Sequence, residues 1–155
     1  MNIRFKKLSD KAMTPEYATQ HSAGVDLVAT EISKTENYVQ YKTGLAVEIP
    51  VGCVGLLFPR SSISNYDLTL SNCVGVIDSD YRGEIMLRFR QIRKDIISVD
   101  TNGNELERIY TAKVYGVGER CGQLVIVPYI KANFIESDEL NETVRGDGGY
   151  GSSGK

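Results

Sequence analysis

Apolar residues in this chain come in short runs rather than in helical stripes. NIRFKKL, VDLVAT, GLAVEIP, GCVGLLFP, EIMLRFRQI, LERIYTAKVY and GQLVIVPYI follow one another along the sequence. Val, Ile, Leu and Tyr dominate these runs, and Gly, Pro, Asn or Asp separate them. Such residues fit a pleated, half-buried surface, and many short runs between turn formers predict an all-β sandwich or barrel. No long stretch carries the 3.6-residue periodicity of an amphipathic helix. Ser61–Tyr66 in RSSISNYD predicts one short helix with a serine N-cap. DTNGNE, residues 100–105, holds Asn-Gly between two strand-like runs and predicts a hairpin turn.

The pattern changes from about Ser137, first to the acidic ESDELNETV and then to the glycine-rich RGDGGYGSSGK. Five glycines between Arg145 and Lys155 give the backbone much conformational entropy to lose, so this piece is expected to stay mobile until something orders it. The expected organisation is a β domain over residues 1–136 and a flexible C-terminal arm over 137–155.

Composition narrows the function classes. A chain of 155 residues is one domain by length. The formal net charge of -2 gives no basic surface for non-specific nucleic-acid binding or for an anionic membrane. No apolar run approaches the roughly 20 residues of a membrane span, and MNIRFKKLSD lacks the apolar segment of a signal peptide. Neither nucleic acid nor membrane is an expected partner. Cys53, Cys73 and Cys121 lie beside apolar neighbours and form no C-x-x-C pair, so buried, reduced thiols of a cytoplasmic-type protein are expected.

Several segments could carry chemistry. GYGSSGK fits the phosphate-loop spacing G-x-x-x-x-G-K, but no helix-forming stretch and no Ser/Thr follows Lys155, so a Walker loop is not expected. His21 is the only histidine. A Ser-His-Asp triad or a multi-histidine metal site would have to rest on it alone. No serine sits in a G-x-S-x-G elbow. Singly, PRSS could be a turn, GVIDSDYRGE a hairpin, and SAGVDL a strand entry.

In order, SAGVDLVA, PRSSIS, NCVGVIDSDYRGE, ERCGQLVIVP and RGDGGYGSSG closely resemble the five motifs of the homotrimeric deoxyuridine triphosphatases (dUTPases). The resemblance spans residues 22–154 and is most specific in VIDSDYRGE and RGDGGYGSSG. It implies a distorted jelly-roll or β-barrel domain in a homotrimer, with sites shared between subunits and an arm that closes over the nucleotide. It implies Mg²⁺-dependent hydrolysis of dUTP to dUMP and pyrophosphate by water attack on the α-phosphate. That activity limits uracil incorporation into DNA and supplies dUMP for thymidylate synthesis. The implied location is cytoplasmic, or intracellular in a host if the protein is viral.

The resemblance also implies residue roles. Asp78 matches the carboxylate that deprotonates the attacking water, and Gln123 the residue that holds an α-phosphate oxygen or that water. Asp26 matches the acid that meets Mg²⁺ through its water shell. Arg60, Ser61 and Ser62 match the phosphate-binding turn. Asn72, Gly75, Val76 and Ile77 belong to the uracil slot, and Tyr81 to the ring beneath the deoxyribose, which leaves no room for a 2′-hydroxyl. In the arm, Arg145, Ser152 and Ser153 match the γ-phosphate clamp. Tyr150 and Gly151 match the part that covers the base. Asp80 is assigned a structural part.

Departures from the family pattern are few. Tyr150 and Ser153 stand where Phe and Thr are usual, and ISNYDL replaces a Gly/Lys continuation after PRSS. The span 93–119 is longer than is typical. The dCTP deaminases, which share the fold, and a binding protein using the 93–119 extension are the competing classes. The former lack an arm like RGDGGYGSSG.

Overall fold

The computed structural model describes residues 1–92, 95–99, 101–102, 105–110, 112–150 and 152. Thirteen strands run through these residues. They are β1 Arg4–Lys7, β2 Glu16–Tyr17, β3 Val25–Val28, β4 Glu31–Lys34, β5 Val39–Lys42, β6 Leu45–Glu48 and β7 Cys53–Phe58. After a 3-10 turn at Ser61–Asn65 come β8 Leu68–Leu70, β9 Gly75–Ile77, β10 Met86–Gln91, β11 Asp95–Val99, β12 Glu105–Tyr110 and β13 Arg120–Pro128.

All pairings are antiparallel. One sheet runs β2-β3-β13-β7-β9 and another β4-β5-β10-β8, with β1-β6 and β11-β12 as two-stranded pairs. Alternation explains the layers. In β7, Cys53, Gly55 and Leu57 are buried while Val54, Leu56 and Phe58 are half-buried. In β5, Val39 and Tyr41 point inward, as Leu87 and Phe89 do in β10. Leu27, Leu57 and Leu124 from the larger sheet thus meet Tyr41, Leu87 and Phe89 from the other in one core. Each such side chain contributes about 1.5–3 kcal/mol by leaving water. This almost entirely β architecture matches the expected fold class.

The short helix is present as the 3-10 turn, but its cap differs from the expectation. Arg60, in extended backbone, occupies the cap position and makes no side-chain capping bond. Ile63 N–H donating to Arg60 O at 2.9 Å and Tyr66 N–H donating to Ile63 O at 3.0 Å hold the turn instead. The expected hairpin is also present, with β11 and β12 paired from Asp95↔Tyr110 to Val99↔Glu105. Residues 100, 103 and 104 of its turn lie outside the described residues.

Residues 71–74 carry the chain from one sheet to the other, because β8 pairs with β10 while β9 pairs with β7. Cys73 takes φ = 60° there, a left-handed conformation that costs a side-chain-bearing residue roughly 1–2 kcal/mol. It is exposed, which corrects the expectation of three buried thiols; only Cys53 and Cys121 are buried. After Pro128 no described residue pairs into a sheet, and residues 128–147 are all exposed. No helix among the described residues is long and apolar enough to cross a membrane.

Candidate active site

The sequence-predicted residues gather in two places within the chain. The first lies where β3, β13 and β7 run side by side. Gln123 on β13 pairs with Asp26 on one flank and Phe58 on the other. Arg60 follows two residues after Phe58 and opens the 3-10 turn carrying Ser61 and Ser62. Asp26 Oδ1 accepts from Arg60 Nε at 2.7 Å, and Asp26 Oδ2 lies 3.3 Å from Arg120 Nη1. Arg60 and Arg120 are turned toward the same strand edge by this one carboxylate, which is largely buried.

Arg120 was not anticipated from sequence, and its placement has a local cause. Arg120 and Gln123 are three residues apart, which in a regular strand puts them on opposite faces. The pairing slips between Arg120↔Val28 and Gly122↔Leu27, so Cys121 is an extra residue in β13. This bulge turns Arg120 toward the Asp26 side of the sheet. Nothing in the spacing of ERCGQL announces it.

Gln123 is fixed just as tightly. Its Nε2 donates to Pro59 O at 3.0 Å. Its side chain lies so close to Gly24 that a Cβ there would sit 2.5 Å from Oε1 and 3.1 Å from Cδ. Gly24, which stands in AGVDL with no part assigned from sequence, is therefore required by the Gln123 side chain. The Gln123 amide keeps its second N–H, and Arg60 keeps its Nη donors, for an anion at this edge.

The second place is the turn between the sheets. Asn72, Gly75, Ile77 and Tyr81 line one cleft of about 350 Å³, whose apolar wall includes Leu57 and Leu70. Gly75 has no room for a side chain that would not press on Leu57, since a Cβ would come within 3.0 Å of its Cβ. Val76 alternates outward from β9 and is exposed. The Tyr81 ring is fixed by its hydroxyl donating to Glu84 O at 3.0 Å, and it lies over Gly83, where a Cβ would meet the hydroxyl oxygen at 2.3 Å. Gly83 is thus required by Tyr81. Asp78 is exposed, and its carbonyl accepts from Tyr81 N–H at 3.2 Å in a turn. β9 ends at Ile77, so Asp78 and Asp80 belong to that turn rather than to a strand.

These two groups do not meet within one chain. Ile77 pairs with Gly55, and Leu57 pairs with Gly75. Asp78 therefore leaves β7 at its Cys53 end while Arg60 leaves at its Phe58 end. At a rise of about 3.3 Å per residue the strand separates them by more than about 13 Å. The described residues of the arm join neither group. Arg145 Nε donates to Gly148 O at 2.9 Å and Ser152 Oγ to Gly149 O at 2.8 Å, both within the arm, and Tyr150 is fully exposed. Gly151 and Ser153 lie outside the described residues.

Among the described residues no three His, Cys, Asp or Glu side chains cluster as a metal cage. The donor set nevertheless fits a cation that arrives on phosphates. Asp26 lies between two guanidinium groups, and each of its oxygens retains a lone pair for a metal-bound water.

Comparison with known proteins finds relatives over the whole chain. The family described as dUTPase matches residues 10–105. The deoxyuridine 5′-triphosphate nucleotidohydrolase of Nautilia profundicola is 37% identical over 158 aligned positions, covering 100% of both chains. That of Desulfitobacterium hafniense is 42% identical, covering 94% of this chain and 90% of its own. Among solved structures, the dUTPase of Staphylococcus bacteriophage 80alpha with dUpNHpp is similar at a TM-score of 0.77 and 30% identity. That match covers 99% of both chains.

Proposed function

The chain belongs to the dUTPase family, and from that premise we propose a working site assembled from more than one copy of it. The reaction is hydrolysis of dUTP to dUMP and pyrophosphate. One copy offers the edge built from Asp26, Arg60, Ser61, Ser62, Arg120 and Gln123, and a neighbour offers the cleft and Asp78. The observation that carries this reading is the Ile77–Gly55 register, which holds Asp78 and Arg60 at opposite ends of β7. A homotrimer with three such shared sites is the expected assembly.

Each part has a chemical task. Uracil enters the slot around Asn72–Ile77, where main-chain groups meet its polar edge. A cytosine would leave buried donors facing donors, at roughly 1–3 kcal/mol for each unsatisfied group. The deoxyribose rests on the Tyr81 ring. Arg60, Ser61 and Ser62 take phosphate oxygens, and the free N–H of Gln123 holds an α-phosphate oxygen or the attacking water. Asp78 accepts the proton of that water as it attacks phosphorus, and pyrophosphate leaves. A Mg²⁺ ion bound to the triphosphate would neutralise charge on the departing group, with Asp26 accepting a hydrogen bond from its water shell. The arm, residues 137–155, then covers the nucleotide. Arg145, Ser152 and Ser153 clamp the γ-phosphate, and Tyr150 with Gly151 covers the base, a stacking contact of about 1–3 kcal/mol. The body is residues 1–136, and the setting is cytoplasmic or intracellular in a host. There the enzyme limits uracil in DNA and supplies dUMP, with no direct nucleic-acid or membrane partner.

Subunit mixing tests the shared site. Asp78→Asn and Arg60→Ala are each expected to be nearly inactive. Refolding them together at equal concentration should restore about a quarter of wild-type sites, because random trimers pair an intact cleft with an intact phosphate edge that often. A mixture no more active than its components would refute sharing.

A further inference from the structure

Glu84 lines the cleft beside Tyr81, Asn72 and Gly75, two residues before β10 begins at Met86. Its half-buried side chain reaches a distant part of the chain. Glu84 Oε1 accepts from the Gly44 N–H at 2.8 Å, across 40 residues of sequence. Its main-chain carbonyl accepts from the Tyr81 hydroxyl at 3.0 Å. One residue thus holds the Tyr81 ring with its backbone and the corner between β5 and β6 with its carboxylate.

That corner is tied down on every side. Gly44 takes φ = +66°, and a Cβ there would come within 2.8 Å of Ser9 Oγ and 2.9 Å of Ala12 Cβ. Gly44 O accepts from Leu8 N–H at 2.7 Å. The Thr43 hydroxyl, fully buried, donates to Ile85 O at 2.7 Å, and Ile85 N–H donates to Leu45 O at 2.8 Å. This last bond shares a peptide group with the Tyr81 contact. The group between residues 84 and 85 gives its N–H to Leu45 and its C=O to the Tyr81 hydroxyl. A single bond at the N–H leaves the group free to rock about it, and the glycine at position 83 offers little resistance. The Glu84 carboxylate, bonded one residue away from Leu45, is a second point of attachment that stops the rocking.

We infer that Glu84 is a positioning residue for sugar selection: by clamping its own backbone to the Thr43–Leu45 corner, it keeps the acceptor of the Tyr81 hydroxyl in place. The ring is thereby held in the plane that leaves no room for a ribose 2′-hydroxyl. The inference rests on the reading of Tyr81 as the support of the deoxyribose. Glu84 touches no reacting atom. No ion pair includes it among the described residues, so the part it uses is an acceptor oxygen rather than its charge.

The readout is the ratio of kcat/KM for dUTP to that for UTP, measured well below Tm. Glu84→Ala should lower this ratio about tenfold, chiefly because UTP is used better, with kcat for dUTP within about threefold of wild type. Glu84→Gln keeps an acceptor for Gly44 and should hold the ratio within about twofold of wild type. Glu84→Asp, one methylene shorter, loses the Gly44 bond with less disturbance to folding and should lower the ratio as alanine does. Tyr81→Phe keeps the ring without its hydroxyl and should do the same, and combining it with Glu84→Ala should lower the ratio no further, because both break one linkage. A wild-type ratio in Glu84→Ala and Glu84→Asp beside a lost ratio in Tyr81→Ala overturns the part given to Glu84 and leaves Tyr81 as the sugar support. Turnover of dUTP and UTP falling by the same factor, together with Tm, makes Glu84 merely structural and also overturns it. A loss in Glu84→Gln as severe as in Glu84→Ala makes the charge responsible and overturns the clamp. A wild-type ratio in Tyr81→Ala removes Tyr81 from sugar selection and the proposal with it.

Discussion

Gln123 lies against Gly24, the residue just before β3, with its amide nitrogen bonded to Pro59 O at 3.0 Å. A methyl group at position 24 would have to displace the glutamine. Gly24→Ala is therefore expected to lower kcat/KM by ten- to a hundredfold with little change in Tm, because the backbone there needs no positive φ. Gly52→Ala is the control. A Cβ meets nothing within 4 Å there, but φ is +83°, so it should cost about 1 kcal/mol of stability and no activity. Steady-state kinetics and thermal melts of the two variants separate steric from conformational need.

Asp26 holds two arginines of unequal exposure, Arg60 well covered and Arg120 mostly in solvent. Screening makes the Arg120 contact the weaker. Arg120→Ala should raise KM no more than about threefold, whereas Asp26→Asn, which releases both guanidinium groups, should raise it about tenfold. Asp26→Asn should also require more Mg²⁺ for half-maximal rate. Equal effects from the two substitutions would show that Asp26 acts through Arg120 alone.

Asp78→Asn keeps the shape of the turn and removes the proposed base. Affinity for dUpNHpp should be within a few-fold of wild type while turnover falls by about three orders of magnitude or more, as expected when a positioned base is lost. Near-normal turnover would reassign proton removal to another group.

Truncation after Val144 removes no described residue that packs against the core, so Tm and assembly size should be unchanged. Activity should fall to a few per cent of wild type if the arm seals the site. Calorimetry, light scattering and a pyrophosphate-release assay on the same sample decide it.

The cysteines predict alkaline behaviour. Burial pushes the Cys121 thiol up from the usual 9 to about 12. Below the ordinary thiol range both folded and unfolded chains keep the proton. As pH rises further, the unfolded chain releases it first, binds fewer protons than the folded one, and stability falls. The urea midpoint should decline above about pH 9, and less steeply in Cys121→Val. At neutral pH one thiol, exposed Cys73, should react with a bulky disulfide reagent, and all three in denaturant. Rapid labelling of a second thiol in the folded protein would contradict the burial of Cys53 and Cys121.

Much of the sheet was legible because alternation is local. GCVGLLFP and EIMLRFRQI announce β7 and β10 by their own side chains. β5 was missed although Val39 and Tyr41 alternate cleanly, because VQYK is short and flanked by polar residues. β2 and β8, at two and three residues, exist only through their partners. The site follows the same rule. Its motif residues stand in recognisable order, but Gly24, Arg120 and Gly83 owe their places to cross-strand distance, a bulge and a ring lying overhead. None of these is written in the spacing of a single segment.

The length of β7 has a consequence for the living enzyme. A six-residue strand acts as a spacer that keeps Asp78 and Arg60 of any lone polypeptide out of reach of each other. Under the proposed sharing of sites, a newly made copy is silent until it meets its siblings, so dilution alone would switch the activity off and accumulation would switch it on.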